Sequence, residues 1–256
     1  MDVDDSLIFD LGASDGDDTA YYLAKGFCVV AVEADPVACA ALRRRFRRPI
    51  AEGRVTLVHA AVAATAGQTV SLWRYADAQH ISSLDRRPRG AAAGAESEHK
   101  VTTIDWAGLV ALRGVPRYCK VDVEGAECAF LSSIPALDQA PEYLSAECKD
   151  LRVAQALRAI GYRRFKLVDQ KIFRAFPVPD PPLEGRAVVP VGEPTSSGPF
   201  GRELPGPWIG YDELAELWAL LRRLQAHPAT APTTWYDCHA WAPREGELTS
   251  SAAPDR

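Results

Sequence analysis

Short apolar runs alternate with helix-forming segments along the first two thirds of the chain, and this alternation restricts the fold more than any other feature. The runs are 7–11 (LIFDL), 28–32 (CVVAV), 55–59 (VTLVH), 118–123 (YCKVDV) and 143–147 (YLSAE). The run at 28–32 is apolar throughout, as a strand buried on both faces must be. Between the runs, 19–25, 37–48, 126–134 and 153–160 carry apolar residues at helical spacing. Such alternation predicts an α/β fold, a mostly parallel sheet with right-handed crossovers and helices on both faces. Segments 70–73 and 100–103 add strands around an irregular loop, RGAAAGAES. A hairpin of 162–168 with 171–176, turning at Asp169-Gln170, is expected to close the sheet with an antiparallel edge.

Composition removes several classes of function. Of 256 residues 47% are hydrophobic and 25% charged, as in an ordinary water-soluble globular chain. The net charge of −5 argues against a nucleic-acid partner. Arg43, Arg44, Arg45, Arg47 and Arg48 form the one basic cluster, and it reads as the solvated face of a helix with Phe46 turned inward. Six cysteines (28, 39, 119, 128, 148, 238) form no CxxC pair, so they are expected as free core thiols in a reducing compartment. The acidic start, MDVDDSLIFDLG, is unlike a signal peptide, and no apolar run reaches the ~18 residues of a membrane span. A cytoplasmic protein with no membrane partner is the expectation.

Nine of the 19 prolines fall between Pro177 and Pro207, and they divide the chain. Residues 1–176 hold the sheet. Residues 177–256 form a C-terminal extension expected to pack on the same domain: a Pro/Gly-rich loop, an amphipathic helix at 212–225 and a polar tail. PTSSGPFGRELPGPW (194–208) is a candidate lid or acceptor-binding loop, with a linker wrapped over the surface as the alternative. TTWYDCHAW (233–241) is either a last strand or an anchor.

The turn after the first run is Gly12-Ala13-Ser14-Asp15-Gly16. At the carboxyl end of the first strand of a doubly wound sheet, it faces the ligand crevice. Gly12 and Gly16 permit tight turning and close backbone approach. A dinucleotide site would show GxGxxG, presenting bare amides to a pyrophosphate. This turn instead carries Asp10, Asp15, Asp17 and Asp18, which repel a pyrophosphate and suit a ligand with an ammonium and a sulfonium. That favours S-adenosylmethionine over NAD. The second run ends in Glu33-Ala34-Asp35-Pro36, where Glu33 can accept hydrogen bonds from both ribose hydroxyls. Asp35 before Pro36 would cap the next helix. Small residues at Ala60 and Ala61 leave room for a flat adenine.

FDLGASDGDDT, VVAVEADP, VHAAVA, KVTTIDWAGL and above all KVDVEGAE (120–127) together resemble the FkbM family of S-adenosylmethionine-dependent methyltransferases. The resemblance spans about residues 7–148, with Ser14 where the family commonly has Asn. It implies a class I (Rossmann-like) methyltransferase fold, with 1–176 as the S-adenosylmethionine-binding domain. It also implies O-methylation of a hydroxylated small molecule, a sugar or specialised metabolite. Candidate cofactor residues are Asp10, Gly12, Ala13, Asp15, Glu33, Ala34, Ala60 and Asp122.

Methyl transfer to a hydroxyl needs near-attack geometry, a proton acceptor and exclusion of water. Asp122 and Glu147 end adjacent strands and are candidate catalytic groups. Such a pair either binds a hard divalent cation such as Mg²⁺ or raises one carboxyl toward a general base. Glu124 and Glu127 read as acids favouring a helix N-terminus. His80, in QHISSL, is a third candidate base, while His239 reads as a packing residue beside Trp235 and Trp241. A carboxylate acceptor, which needs no base, is the alternative reaction. A non-catalytic module keeping the fold is the alternative class. No feature of the sequence fixes the oligomeric state; a homodimer is one option.

Overall fold

In the structure, a computed structural model, residues 3–74, 82–84, 97–172, 175–189, 197–226 and 235–244 are described. The loop RGAAAGAES and His80 lie outside them, apart from the last serine of that loop.

The central sheet is built from β1 (Val3–Leu11), β2 (Cys28–Glu33), β3 (Val55–His59), β8 (Val115–Val121), β9 (Tyr143–Glu147), β10 (Arg164–Asp169) and β11 (Tyr236–Trp241). Their order is β10-β11-β9-β8-β1-β2-β3. All neighbours are parallel except β11, which runs antiparallel between β9 and β10. The helices are α1 (Asp17–Ala24), α2 (Pro36–Arg45), α3 (Arg47–Ala51), α4 (Trp106–Arg113), α5 (Glu127–Leu131), α6 (Arg152–Ile160) and α7 (Tyr211–Ala226). A small second sheet joins β4 (Ala61–Val62), β7 (Ser97–Ile104), β5 (Thr69–Arg74) and β6 (Ser82–Ser83) in that order.

Both faces of the central sheet are buried, which accounts for its unbroken apolar strands. Leu7, Phe9 and Leu11 of β1 pack with Trp106, Leu109, Phe130, Leu157 and Trp218 from α4–α7. Ile8 of the same strand packs with Tyr22, Leu42 and Phe46 on the side of α1 and α2. Local chemistry starts the helices as expected: Asp35 accepts from the Val37 and Ala38 amides, and Pro36 opens α2. None of the helices among the described residues is long and apolar enough to cross a membrane.

The expected hairpin is corrected in one respect. β10 does have an antiparallel partner, but it is Tyr236–Trp241 rather than 171–176, with Arg164 opposite Trp241 and Asp169 opposite Tyr236. The partner must lie between two strands and be buried on both faces. YDCHAW meets that demand, with Cys238 and Ala240 on one face and His239 and Trp241 on the other, all buried. KIFRAF carries Lys171 and Arg174, and its Ile172 is 52% exposed. The extension therefore completes the sheet from within.

The Pro/Gly-rich stretch also has a structural place. Phe200 lies flat on Tyr118, with ring centroids 4.3 Å apart and planes 2° from parallel, and Trp208 packs on Tyr143 and Trp241. Lys25, just after α1, meets Glu203 at 2.8 Å in a buried ion pair, and the Arg186 amide donates to the Lys25 carbonyl. The described part of this stretch is a wall over β8, β9 and β11, where a helix would otherwise cover the sheet. Phe200 and Leu204 are buried, and residues 194–196 of the candidate lid lie outside the described residues.

Candidate functional site

The turn after β1 is shaped by its neighbours as much as by any ligand. The Gly12 and Ala13 amides donate to the Val32 carbonyl, at 2.9 and 3.0 Å. Gly12 has φ +84°, and a Cβ there would stand 1.7 Å from the Asp122 carbonyl oxygen. Gly16, at φ +88°, would collide with Phe46 and Leu42. Ser14 also adopts a left-handed conformation, φ 48°. This aims its amide at Glu33 Oε2, 2.7 Å away, while Glu33 Oε1 accepts from the Asp35 amide at 2.7 Å. Burial raises the Glu33 pKa, and these backbone donors oppose the rise.

The other expected cofactor residues surround this carboxylate. Ala13 is buried in the turn, and the buried Ala60 donates its amide to the Glu33 carbonyl at 3.2 Å. The Ala34 carbonyl lies 3.2 Å from His59 Nε2. Asp15 accepts from the Asp17 amide, and its carbonyl accepts from Arg45. Arg74 at the end of β5 donates to Asp35 at 2.6 Å, tying the small sheet to this rim.

Asp10 lies deeper, fully buried below the turn. Its Oδ2 accepts from Thr19 Oγ1 at 2.6 Å, and its Oδ1 lies 3.7 Å from Lys120 Nζ. Burial pushes the Asp10 pKa up to about 6, against the pull of Lys120. Lys120 also contacts Asp18 at 2.7 Å and Asp122 at 3.4 Å. Burial works against its charge, but Asp18, Asp122 and Asp10 outweigh that and hold its pKa well above the usual value.

Strand register explains why these groups meet. Asp10 is level with Lys120, Lys120 with Ser145, Ser145 with His239, and Glu147 with Asp237. Residues level across a sheet share a face, and so do those two apart along a strand. The carboxyl half of one face is therefore ionic. Asp122, Glu124 and Glu147 bring carboxylate oxygens within 4.8 Å of one another. Lys149 Nζ stands 2.8 Å from Glu147 and 3.2 Å from Glu124. Burial lifts Glu147 to a pKa of about 7; Lys149 opposes the rise, and Asp122 and Glu124 add to it.

Asp122 and Glu147 are thus brought together as expected, and Glu124 joins them. Glu124 precedes α5 with φ 53°, so it is not the helix-end acid expected from the sequence. Glu127, buried in the first turn of α5, accepts from the Gly125 amide at 3.0 Å. His239 is a packing residue: burial and nearby Lys166 pull its pKa down to about 3, and its ring lies over Tyr118.

Lys120, Lys149 and Asp237 have no role legible in the sequence, and Asp18, expected in the ligand-facing acidic turn, is instead buried against Lys120. Asp18 accepts the Ser197 and Gly198 amides, and Ser197 Oγ donates to Asp237 at 3.1 Å. Burial raises the Asp237 pKa well above the carboxylate range. Lys120 was visible within KVDVEGAE, but its partners depend on strand order.

The donor set fits a nucleoside carrying a cationic tail. Each Glu33 oxygen accepts one amide and keeps a lone pair for ribose hydroxyls, with small alanines alongside and an acidic rim at Asp15 and Asp122.

Residues 10–162 match the methyltransferase FkbM domain. Among solved structures, FkbM methyltransferase from Methylobacillus flagellatus KT is 18% identical with a TM-score of 0.44, over 65% of this chain and 41% of that one. The chain thus spans less than half the length of that relative. A precorrin-6Y C5,15-methyltransferase from Geobacter metallireducens GS-15 is 11% identical, TM-score 0.39, over 94% and 81%. A predicted O-methyltransferase from Agrobacterium tumefaciens is 15% identical, TM-score 0.35, over 66% and 67%. No curated protein matches the chain significantly.

Proposed function

Because the chain belongs to the FkbM methyltransferase family and has the class I, Rossmann-like fold, we propose that it methylates a hydroxyl oxygen of a small molecule, a sugar or specialised metabolite, from S-adenosylmethionine. The observation that carries this reading is Glu147, a mostly buried carboxylate at a strand end with a pKa of about 7. A hydroxyl must lose its proton as its oxygen is alkylated, and a base titrating near neutrality suits that task. When bound, S-adenosylmethionine supplies an electrophilic methyl group on a sulfonium. Glu33, held by the Ser14 and Asp35 amides, is oriented to bind ribose hydroxyls. Asp122 stands at the strand end between that site and Glu147, where it can orient the ammonium or the acceptor. Lys149, 2.8 Å from Glu147, favours the ionised carboxylate that burial opposes.

A divalent cation on Asp122, Glu124 and Glu147 is the competing use of the same carboxylates. Lys149 already supplies a positive charge to two of them, and this favours proton handling.

The test follows transfer of labelled methyl groups to a panel of sugars and glycosides across neutral pH. The rate should rise with pH through about 7 and then level off. Glu147→Gln should abolish the inflection and turnover while retaining calorimetric affinity for S-adenosylhomocysteine. A rate with no inflection would assign the acceptor to an ionised carboxylate. Absence of heat with S-adenosylhomocysteine, on folded protein, would refute the cofactor.

A further inference from the structure

Helix α7 buries one stripe and exposes a second. Leu214 and Trp218 face the core, the latter edge-on to Tyr236. Around the helix, Leu217, Leu220 and Leu224 are 37%, 45% and 48% exposed. With Glu213 they follow a 4-3-4 spacing, the d-a-d-a seam of a heptad. The g positions beside that seam are Glu216 and Arg223. Both are exposed, and neither has an ion pair among the described residues. We propose that this seam is the interface of a two-fold homodimer, in which α7 pairs antiparallel with α7 of a second copy.

The register carries the proposal. In an antiparallel pair, a layers meet d layers and g positions face g positions. Setting Leu217 against the partner's Leu220 also sets Leu220 against the partner's Leu217, as a two-fold axis requires. The same register brings Glu216 opposite the partner's Arg223, and Arg223 opposite the partner's Glu216. It lays Leu224 along the stem of the partner's Glu213. Opposite charges thus fall into place in the register chosen for the leucines, whereas a parallel pairing would set Glu216 beside the partner's Leu221, which carries no charge. The wider distribution agrees, with Asp212, Glu213 and Glu216 in the first half of the helix and Arg222 and Arg223 in the second. Antiparallel helix dipoles add to this complementarity. One helix pair is a small interface, so the dimer should be concentration-dependent.

Sedimentation velocity on the full chain over roughly 5–200 μM, the range of weak interfaces, should show a shift from 27.8 kDa toward twice that mass. Leu220→Glu should remain monomeric throughout, with its thermal unfolding unchanged because the position is exposed. Glu216→Arg and Arg223→Glu should each weaken the dimer at least tenfold. An equimolar mixture of the two single variants should dimerise again, since each then meets its opposite charge. A wild-type monomer at the highest concentration would overturn the proposal. So would a dimer that survives Leu220→Glu, or a mixture that stays monomeric.

Discussion

Lys120→Met tests the buried ionic face directly, because it removes one ammonium from among three carboxylates and keeps the side-chain volume. The Asp18 contact is 2.7 Å, and Asp122 and Asp10 lie at 3.4 and 3.7 Å. At an effective dielectric constant of about 20, the closest contact alone is worth about 6 kcal/mol of attraction. Desolvation of the ammonium offsets part of that. Breaking a buried pair on one side typically costs about 3–5 kcal/mol, because the partner charge is left uncompensated. For a chain of this size, that is a fall in Tm of roughly 6–20 °C. The pH dependence has a definite sign. Asp10 already has a folded-state pKa raised to about 6, above its unfolded value of 3.8, so the folded state binds the extra proton and loses stability as pH rises between the two. Without Lys120 the carboxyl pKa values rise further, so the penalty should be larger at about pH 8 than at about pH 5.5. Thermal unfolding followed by circular dichroism at both pH values, mutant against wild type, measures it. A loss under about 3 °C at the higher pH, or a larger loss at the lower one, would refute the assignment of Lys120 as the counter-ion of this face.

Glu33→Ala should weaken S-adenosylhomocysteine binding by about tenfold or more in calorimetry, as loss of a charged hydrogen-bonding group implies; unchanged affinity would reject its ribose role. Gly12→Ala places a Cβ 1.7 Å from the Asp122 carbonyl in a left-handed conformation, so the variant should unfold at low urea or fail to accumulate. Phe200→Ala should cost about 3–5 kcal/mol in urea unfolding, the usual range for a buried aromatic, because its ring fills the space over Tyr118; a loss under about 1 kcal/mol would place the ring outside the core. Lys149→Met should move the midpoint of the pH–rate profile upward from about 7, since Lys149 opposes the rise in the Glu147 pKa. A midpoint that stays in place would separate the profile from Glu147.

The sequence made the parallel part of the sheet legible because its inner strands β1, β2, β8 and β9 are buried on both faces and so stand out as apolar runs, while the edge strand β3 is only partly buried. Glu33, Asp122 and Glu147 were legible for a related reason. A carboxylate ending an apolar run in a doubly wound sheet can only lie at the ligand edge. Strand β11 was harder. Neighbours in sequence usually pair, so 171–176 was the obvious partner for β10, whereas the actual partner arrives after the Pro-rich stretch. Lys120 and Asp237 were hidden for the same reason, since each sits inside an apolar strand and its partners depend on which strands are adjacent. Gly12 shows the limit of motif reading. The sequence marks it as a tight turn, but the atom that forbids a side chain there is the Asp122 carbonyl.

Asp18 joins the two parts of the chain that the prolines separate in sequence. It belongs to the acidic turn that suggested a sulfonium ligand, yet its carboxylate is spent within the protein, on Lys120 from β8 and on the Ser197 and Gly198 amides from the extension. Ser197 in turn donates to Asp237, which stands level with Glu147. One chain of contacts therefore runs from the first helix through the extension to the strand end carrying the candidate base. A buried lysine among carboxylates is costly unless the lone pairs around it find donors. The extension supplies two of those donors and covers the aromatic face below them. Ser197, Gly198 and Asp237, all beyond residue 176, are for that reason part of the candidate site itself, and the turn after β1 and the strand end carrying Glu147 share one support.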